Sequence, residues 1–268
     1  MKRTLVNNVV RLLFGYLVVA ILAGCVTTTN SRFAKEADKD KAVANYVQLA
    51  TAYVGQGNVE RARDHLDRAM ELDPRNAGAH AAMGLIYQYE REPELAEAAL
   101  ARSLRLDPGY TRGRVFYGAL LYGQGRFAEA RDAFAVAARD TGYKDRASVF
   151  YNLGLTEEQL HNSPAAAVAY RRSVELSRGD PASLLALARV SIDNEEYELA
   201  ARYYQRLLDR MQRDPSMSHS ADSLLVGIKI ARHYDDYNRV SSLALLLRDR
   251  FPDSDQYKQY KVLTSHGQ

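Results

Sequence analysis

Apolar residues recur three and four positions apart through most of this chain, the spacing that places them on one face of an α-helix. The stretches "ERARDHLDRAMELDP" (60–74), "ELAEAALARSLRLDP" (94–108), "FAEARDAFAVAARD" (127–140), "PAAAVAYRRSVEL" (164–176) and "YELAARYYQRLLD" (197–209) all carry this spacing and align with one another. An alanine holds the same place in each, at Ala62, Ala96, Ala130, Ala166 and Ala200, and Val240 takes it in a sixth, weaker copy. The steps between them are 34, 34, 36, 34 and 40 residues. Self-similarity at such a period predicts stacked units, each too small to bury a core alone.

Every clear copy also predicts an upstream helix, marked by a large residue followed by a small one: Leu49-Ala50, Met83-Gly84, Tyr117-Gly118, Leu153-Gly154 and Leu187-Ala188. Two helices of a hairpin approach closely only where side chains are small, and large neighbours fill the remaining space. Turn signals lie between the two helices: "GQGN" (55–58), "REPE" (91–94), "GQGR" (123–126) and "HNSP" (161–164). "LDP" follows the second helix at 72–74 and 106–108, where proline disfavours helix in Asp73 and Asp107 and so ends it.

Helix, tight turn, helix and stop at this period resembles the tetratricopeptide repeat. The resemblance implies an all-α, right-handed superhelical solenoid of about six repeats, at 43–76, 77–110, 111–146, 147–180, 181–214 and 221–254. The sixth is degenerate, with Val240 and Ala244 where an alanine and an aromatic are expected, as suits a terminal copy that must hide its last apolar face. Residues 255–268 are expected to supply a C-terminal capping helix over 255–263 and a tail.

The start of the chain follows another pattern. Lys2, Arg3 and Arg11 precede a run without charge over 12–23, the layout of a secretory signal. That run is short for a permanent membrane span. Leu22-Ala23-Gly24-Cys25 is similar to the lipobox of bacterial lipoproteins, which implies removal of residues 1–24 and acylation of Cys25, the only cysteine. Several acyl chains anchor stably where one alone binds marginally. By the same resemblance, Val26 in place of an aspartate implies onward export to the outer membrane. Residues 25–42 read as the acylated cysteine and a tether, polar and charged over 27–40. Losing Lys2, Arg3 and Arg11 takes the formal charge from +3 to 0 and leaves no basic stripe of the kind that binds nucleic acid.

Chemistry is sparse elsewhere. The chain has no glycine-rich phosphate loop, no HExxH pair and no Gly-x-Ser-x-Gly elbow. Its 6 histidines are scattered without metal-ligand spacing, and Asp235-Asp236 falls at an expected turn. No catalytic residue, metal, cofactor or small-molecule substrate is expected. Among the 18 tyrosines, Tyr46, Tyr53, Tyr87, Tyr170 and Tyr204 fall on packing positions.

Function is then expected of the groove that, in this repeat family, the first helices line. The register assigns to it Val47 and Thr51, then Ala81, Leu85 and Gln88, then Val115, Ala119 and Tyr122. The fourth copy adds Tyr151, Leu155 and Glu158, and the fifth Leu185, Arg189 and Ile192. This groove reads as mostly apolar, suited to an amphipathic helix or extended segment of a protein partner. One subgroup of the repeat grips a carboxylate with lysine and asparagine, but Val47 and Thr51 stand at those places.

Three stretches exceed the generic pattern: "NYVQLATAYVGQGNVERAR" (45–63), "HAAMGLIYQYEREPELAE" (80–97) and "SLLVGIKIARHYDD" (223–236). With the lipobox and six copies, they make the chain resemble the PilF/PilW pilotin family, the type IV pilus biogenesis and stability lipoproteins. The family implies a protein lipid-anchored in the outer membrane and facing the periplasm. Its implied partner is the type IV pilus secretin, whose localisation and multimer assembly it promotes. A periplasmic scaffold lipoprotein organising cell-wall synthases or hydrolases is the alternative, favoured if neighbouring genes lack pilus components. A Cys25→Ala variant is expected to lose acyl labelling and leave the outer-membrane fraction; retention of both would refute the anchor.

Overall fold

The computed structural model describes residues 32–265; Cys25 and the rest of the signal region lie outside the described residues. Thirteen helices, and no strand, occur among the described residues. They are α1 (Arg32–Gly55), α2 (Val59–Leu72), α3 (Ala77–Tyr89), α4 (Pro93–Leu106), α5 (Thr111–Gly123), α6 (Phe127–Ala137) and α7 (Arg146–Gln159). α8 (Ser163–Leu176), α9 (Pro181–Asp193), α10 (Tyr197–Arg213), α11 (Ala221–His233), α12 (Tyr237–Arg250) and α13 (Asp255–Ser265) follow. Six antiparallel pairs run from α1–α2 to α11–α12, and α13 packs on α11 and α12.

The recurrent small residues are where each pair closes. Ala62, Ala96, Ala130, Ala166 and Ala200 are all 0% exposed. A methyl group added to Gly84 would lie 2.6 Å from the Leu100 side chain, one on Gly118 2.9 Å from the Phe134 ring, and one on Gly154 2.5 Å from the Tyr170 ring. Each large side chain of the second helix thus lies directly on bare backbone of the first, a contact at van der Waals limits.

The turns within the pairs share one conformation. A residue with positive φ stands at Gly57, Arg91, Gly125, His161, Glu195 and Asp235, following the same steps as the alanines. The next N–H reaches back five residues to close the helix, as from Asn58 to the Tyr53 carbonyl at 2.9 Å and from Glu196 to that of Ser191 at 2.8 Å. Between pairs, an aspartate side chain accepts the N–H two residues on: Asp73 from Arg75, Asp107 from Gly109, Asp140 from Gly142 and Asp214 from Ser216. The aspartate before proline therefore stops the helix with its own side chain as well as through its neighbour's ring.

The expected tether over 27–40 is corrected in its second half: α1 begins at Arg32. Residues 32–42 hold no glycine or proline and carry three alanines and three lysines, which favour helix once α1 is nucleated by its packed part.

Curvature follows from unequal packing. α1 packs on α3, α3 on α5 and α9 on α11, whereas the second helices of successive pairs make no appreciable contact with one another. The first helices therefore line the inner face. α5 and α7 barely meet and α7 and α9 meet less still, so the inner face is loosest on the two sides of the fourth repeat's first helix.

Gly154→Ala is expected to cost about 1–2 kcal/mol, because overpacking against Tyr170 outweighs the better helix propensity of alanine; calorimetric unfolding measures it. A pH effect comes from the linker before the sixth repeat. His219 Nδ1 lies 3.0 Å from the Ser223 hydroxyl, and burial, then Arg250 and Arg239, hold its pKa below the usual imidazole value. The neutral ring is favoured in the fold, so stability is complete above the unfolded pKa and falls as pH drops below about 6.5. The melting temperature is expected to decline from about pH 7 to about pH 5, with a shallower decline in His219→Gln.

Candidate functional site

The inner face carries the residues that the register assigns to a groove, but not all of them are open. Val47 is 6% and Ile192 7% exposed, and Ala81 is 0% exposed. These three are corrected from groove to core. Val47 belongs to the cluster of Val43, Ala50, Ala79 and Ala82, and Ile192 to that of Leu187, Val226 and Ile230. The cause is the close packing of α1 on α3 and of α9 on α11, which covers these positions from the neighbouring repeat.

The remaining positions are partly open. Thr51 is half-buried, and its hydroxyl is occupied by the Val47 carbonyl at 2.8 Å. Leu85, Gln88, Val115, Tyr122, Tyr151, Leu155 and Leu185 are all intermediate in exposure, and Ala119 is exposed. Tyr122 stands edge-on to Phe127 at 5.3 Å, which fixes its ring. Among the described residues the Gln88 Nε2 is buried without a hydrogen-bond partner.

Tyr122 and Leu155 are brought together. With Ala119 and Asn152 they line a cleft of 140 Å³ between α5 and α7, floored by Phe134 from α6. A wider cavity of 700 Å³ opens beside the inter-repeat loops of the first three repeats, among Asp40, Arg75, Tyr110, Arg112, Asp140 and Tyr143. Of its wall the register reached only Val47, because about half of the lining comes from the loops, outside the helix register; the recurring aspartates were the available signal.

Further along, the expected apolar character gives way to charge. Arg189 on α9 donates to both carboxylate oxygens of Glu158 on α7, at 2.8 and 3.1 Å, and to Asp222 on α11 at 3.0 Å. The Tyr170 hydroxyl donates to the same Glu158 at 2.7 Å. Burial opposes the charge on Arg189, but Glu158 and Asp222 outweigh it, and the guanidinium pKa is raised. Burial, and then Glu158, push the Tyr170 pKa up, so that hydroxyl stays a donor. One guanidinium therefore ties three repeats across the inner face and leaves one net negative charge among the three groups. Elsewhere Arg126 bridges Glu97 and Glu129 at 2.8 and 2.7 Å, and Arg63 reaches Glu90 at 2.6 Å, each pinning one repeat to the next.

Among the described residues no group of three or more histidine, cysteine, aspartate or glutamate side chains is placed to hold a metal ion, and no helix is long and apolar enough to cross a membrane. What the inner face offers is shape: a tight first repeat, an open apolar middle and a clasped C-terminal part.

Helix pairs with this internal register, stacked through this small-to-large contact, define a tetratricopeptide repeat protein. Residues 43–86, 81–147 and 151–218 match the tetratricopeptide repeat family. Over 254 residues the chain is 33% identical to the type IV pilus assembly protein PilF of Pseudomonas aeruginosa, covering 94% of this chain and 98% of that protein. The chain belongs to the PilF family of type IV pilus tetratricopeptide repeat proteins. A solved structure of Pseudomonas aeruginosa PilF superposes with a TM-score of 0.74, covering 84% of this chain and 99% of the other at 33% identity. PilW, described as a widely conserved type IV pilus biogenesis factor, shares the fold with a TM-score of 0.66 at 24% identity, over 81% of this chain and 97% of PilW. The sixth hairpin, α11–α12, lies beyond the last residue matched to the repeat family.

Proposed function

We propose that this protein acts as a pilotin in type IV pilus biogenesis. In this reading it is acylated at Cys25, held at the periplasmic face of the outer membrane, and binds the pilus secretin through the open middle of its inner face. Binding promotes secretin localisation and multimer assembly, and the protein catalyses nothing itself. The observation that carries the reading is the similarity to PilF along nearly the whole chain, including the copies that depart most from the generic repeat. The inner face supports it: Leu85, Val115, Tyr122 and Leu155 present partly open apolar surface along the first helices, suited to laying down an amphipathic segment.

Deletion of the gene is expected to leave secretin monomers outside the outer membrane and to abolish twitching motility. The double variant Leu85→Glu with Tyr122→Glu should reduce secretin co-purification while leaving the helical circular dichroism intact, since both side chains are partly solvent-facing. Normal secretin multimers in the deletion strain would refute the role, and unchanged co-purification with the double variant would move the binding site off the inner face.

A further inference from the structure

We infer that the cleft between the third and fourth repeats is the anchor point of the partner, and that it receives one bulky aliphatic or aromatic side chain from an uncharged stretch. This rests on the reading that the inner face binds a protein segment.

The cleft exists because of one small residue and one loose joint. At the place occupied by Leu85, Leu155 and Arg189 in neighbouring copies, the third repeat has Ala119, which leaves the space between Tyr122 and Leu155 unfilled. The joint is loose because α5 and α7 barely meet, and the third copy is the one with a 36-residue step to the fourth, against 34 on either side. The two extra residues fall in the stretch before α7, and α7 also meets α9 less than α3 meets α5, so the fourth repeat's first helix is loosely held on both sides.

The floor is equally specific. Phe134 is 1% exposed and yet lines the cleft, because Gly118 lets its ring lie against α5; a methyl on Gly118 would come within 2.9 Å of it. The result is a space of 140 Å³ with an aromatic floor and apolar walls, about the size of one large side chain. Asn152 adds a carboxamide at the wall, with a donor and an acceptor suited to a peptide main chain.

Charge selects the occupant further. Glu158, one turn beyond Leu155 on α7, is already held by Arg189 at 2.8 Å and by the Tyr170 hydroxyl at 2.7 Å. At that end an acidic residue meets only the surplus negative charge of Glu158 and Asp222, and a lysine would have to share Glu158 with Arg189, so either charge buried against Phe134 would be poorly paired. A leucine, isoleucine, methionine or phenylalanine meets no such cost and gains from desolvation of the walls.

The test uses the full-length protein in intact membranes. A photo-crosslinking amino acid is placed at Gly123, beside Tyr122, where an added side chain meets nothing within 4 Å. Adducts are expected on an uncharged segment of the secretin with a bulky apolar residue at its centre, and Ala119→Trp, which fills the cleft from an exposed position, should cut adduct yield at least tenfold at an unchanged melting temperature. Leu85→Glu reports separately on the groove. If Ala119→Trp keeps wild-type yield while Leu85→Glu loses it, the cleft is not the anchor and the groove reading stands. If neither variant lowers the yield, both readings fall. Adducts confined to charged secretin segments, or to a second copy of this chain, would overturn the inference directly.

Discussion

The structure depends on one contact made again and again: a large side chain of the second helix seated on bare backbone of the first. Leu100 on Gly84, Phe134 on Gly118 and Tyr170 on Gly154 each occupy space where even a methyl group would collide. Close approach of this kind fixes the axial register of a pair as well as its separation, because the large side chain must come to rest opposite a glycine. Neither helix alone could bury such a face, since isolated helices of this length are marginal in water. The hairpin and its neighbours are therefore formed together, and the core runs as a chain of clusters along the stack.

Most of the architecture was legible from that same contact. The period of the small residues located the pairs, and the Asp-Pro stops located their ends. What the repeat pattern could not express was variation in packing between copies. Val47, Ala81 and Ile192 share a helical phase with Leu85 and Leu155, and phase alone assigns them all to the groove. Their burial is set by how tightly the next first helix approaches, a quantity controlled by side chains in another repeat and by loop length. The positive-φ position shows a similar limit. Glycine marks it at Gly57 and Gly125, but Arg91, His161, Glu195 and Asp235 adopt the same conformation without a compositional sign, held there by the hydrogen bonds that close each first helix.

The helical start of α1 at Arg32 was hidden for the opposite reason. Charged residues at balanced sign read as a solvated tether, yet composition without glycine or proline is also what an exposed helix continuation looks like. The deciding factor is nucleation from the packed part of α1 against α2, which pattern within the segment does not contain.

The inner face owes its division into unlike parts to the uneven packing of the first helices, tight at α1, α3 and α5 and loose on both sides of α7. Where first helices pack as α1, α3 and α5 do, Val47 and Ala81 are closed while Leu85 and Val115 stay partly open. Across the joint between α5 and α7 the repeats are held by α6, which packs on α7, and beyond it Arg189 aligns the fourth, fifth and sixth repeats by holding Glu158 on α7 and Asp222 on α11. A hydrophobic substitute at that place could pack well, but it would also extend the apolar face and blur where a partner is seated. An ion triad, costly to bury yet specific in geometry, aligns three repeats and at the same time confines the open apolar surface to the middle of the groove. The looseness that creates a recognition surface and the clasp that limits its consequences are thus adjacent features of one helix, α7, whose Leu155 faces the first and whose Glu158 makes the second.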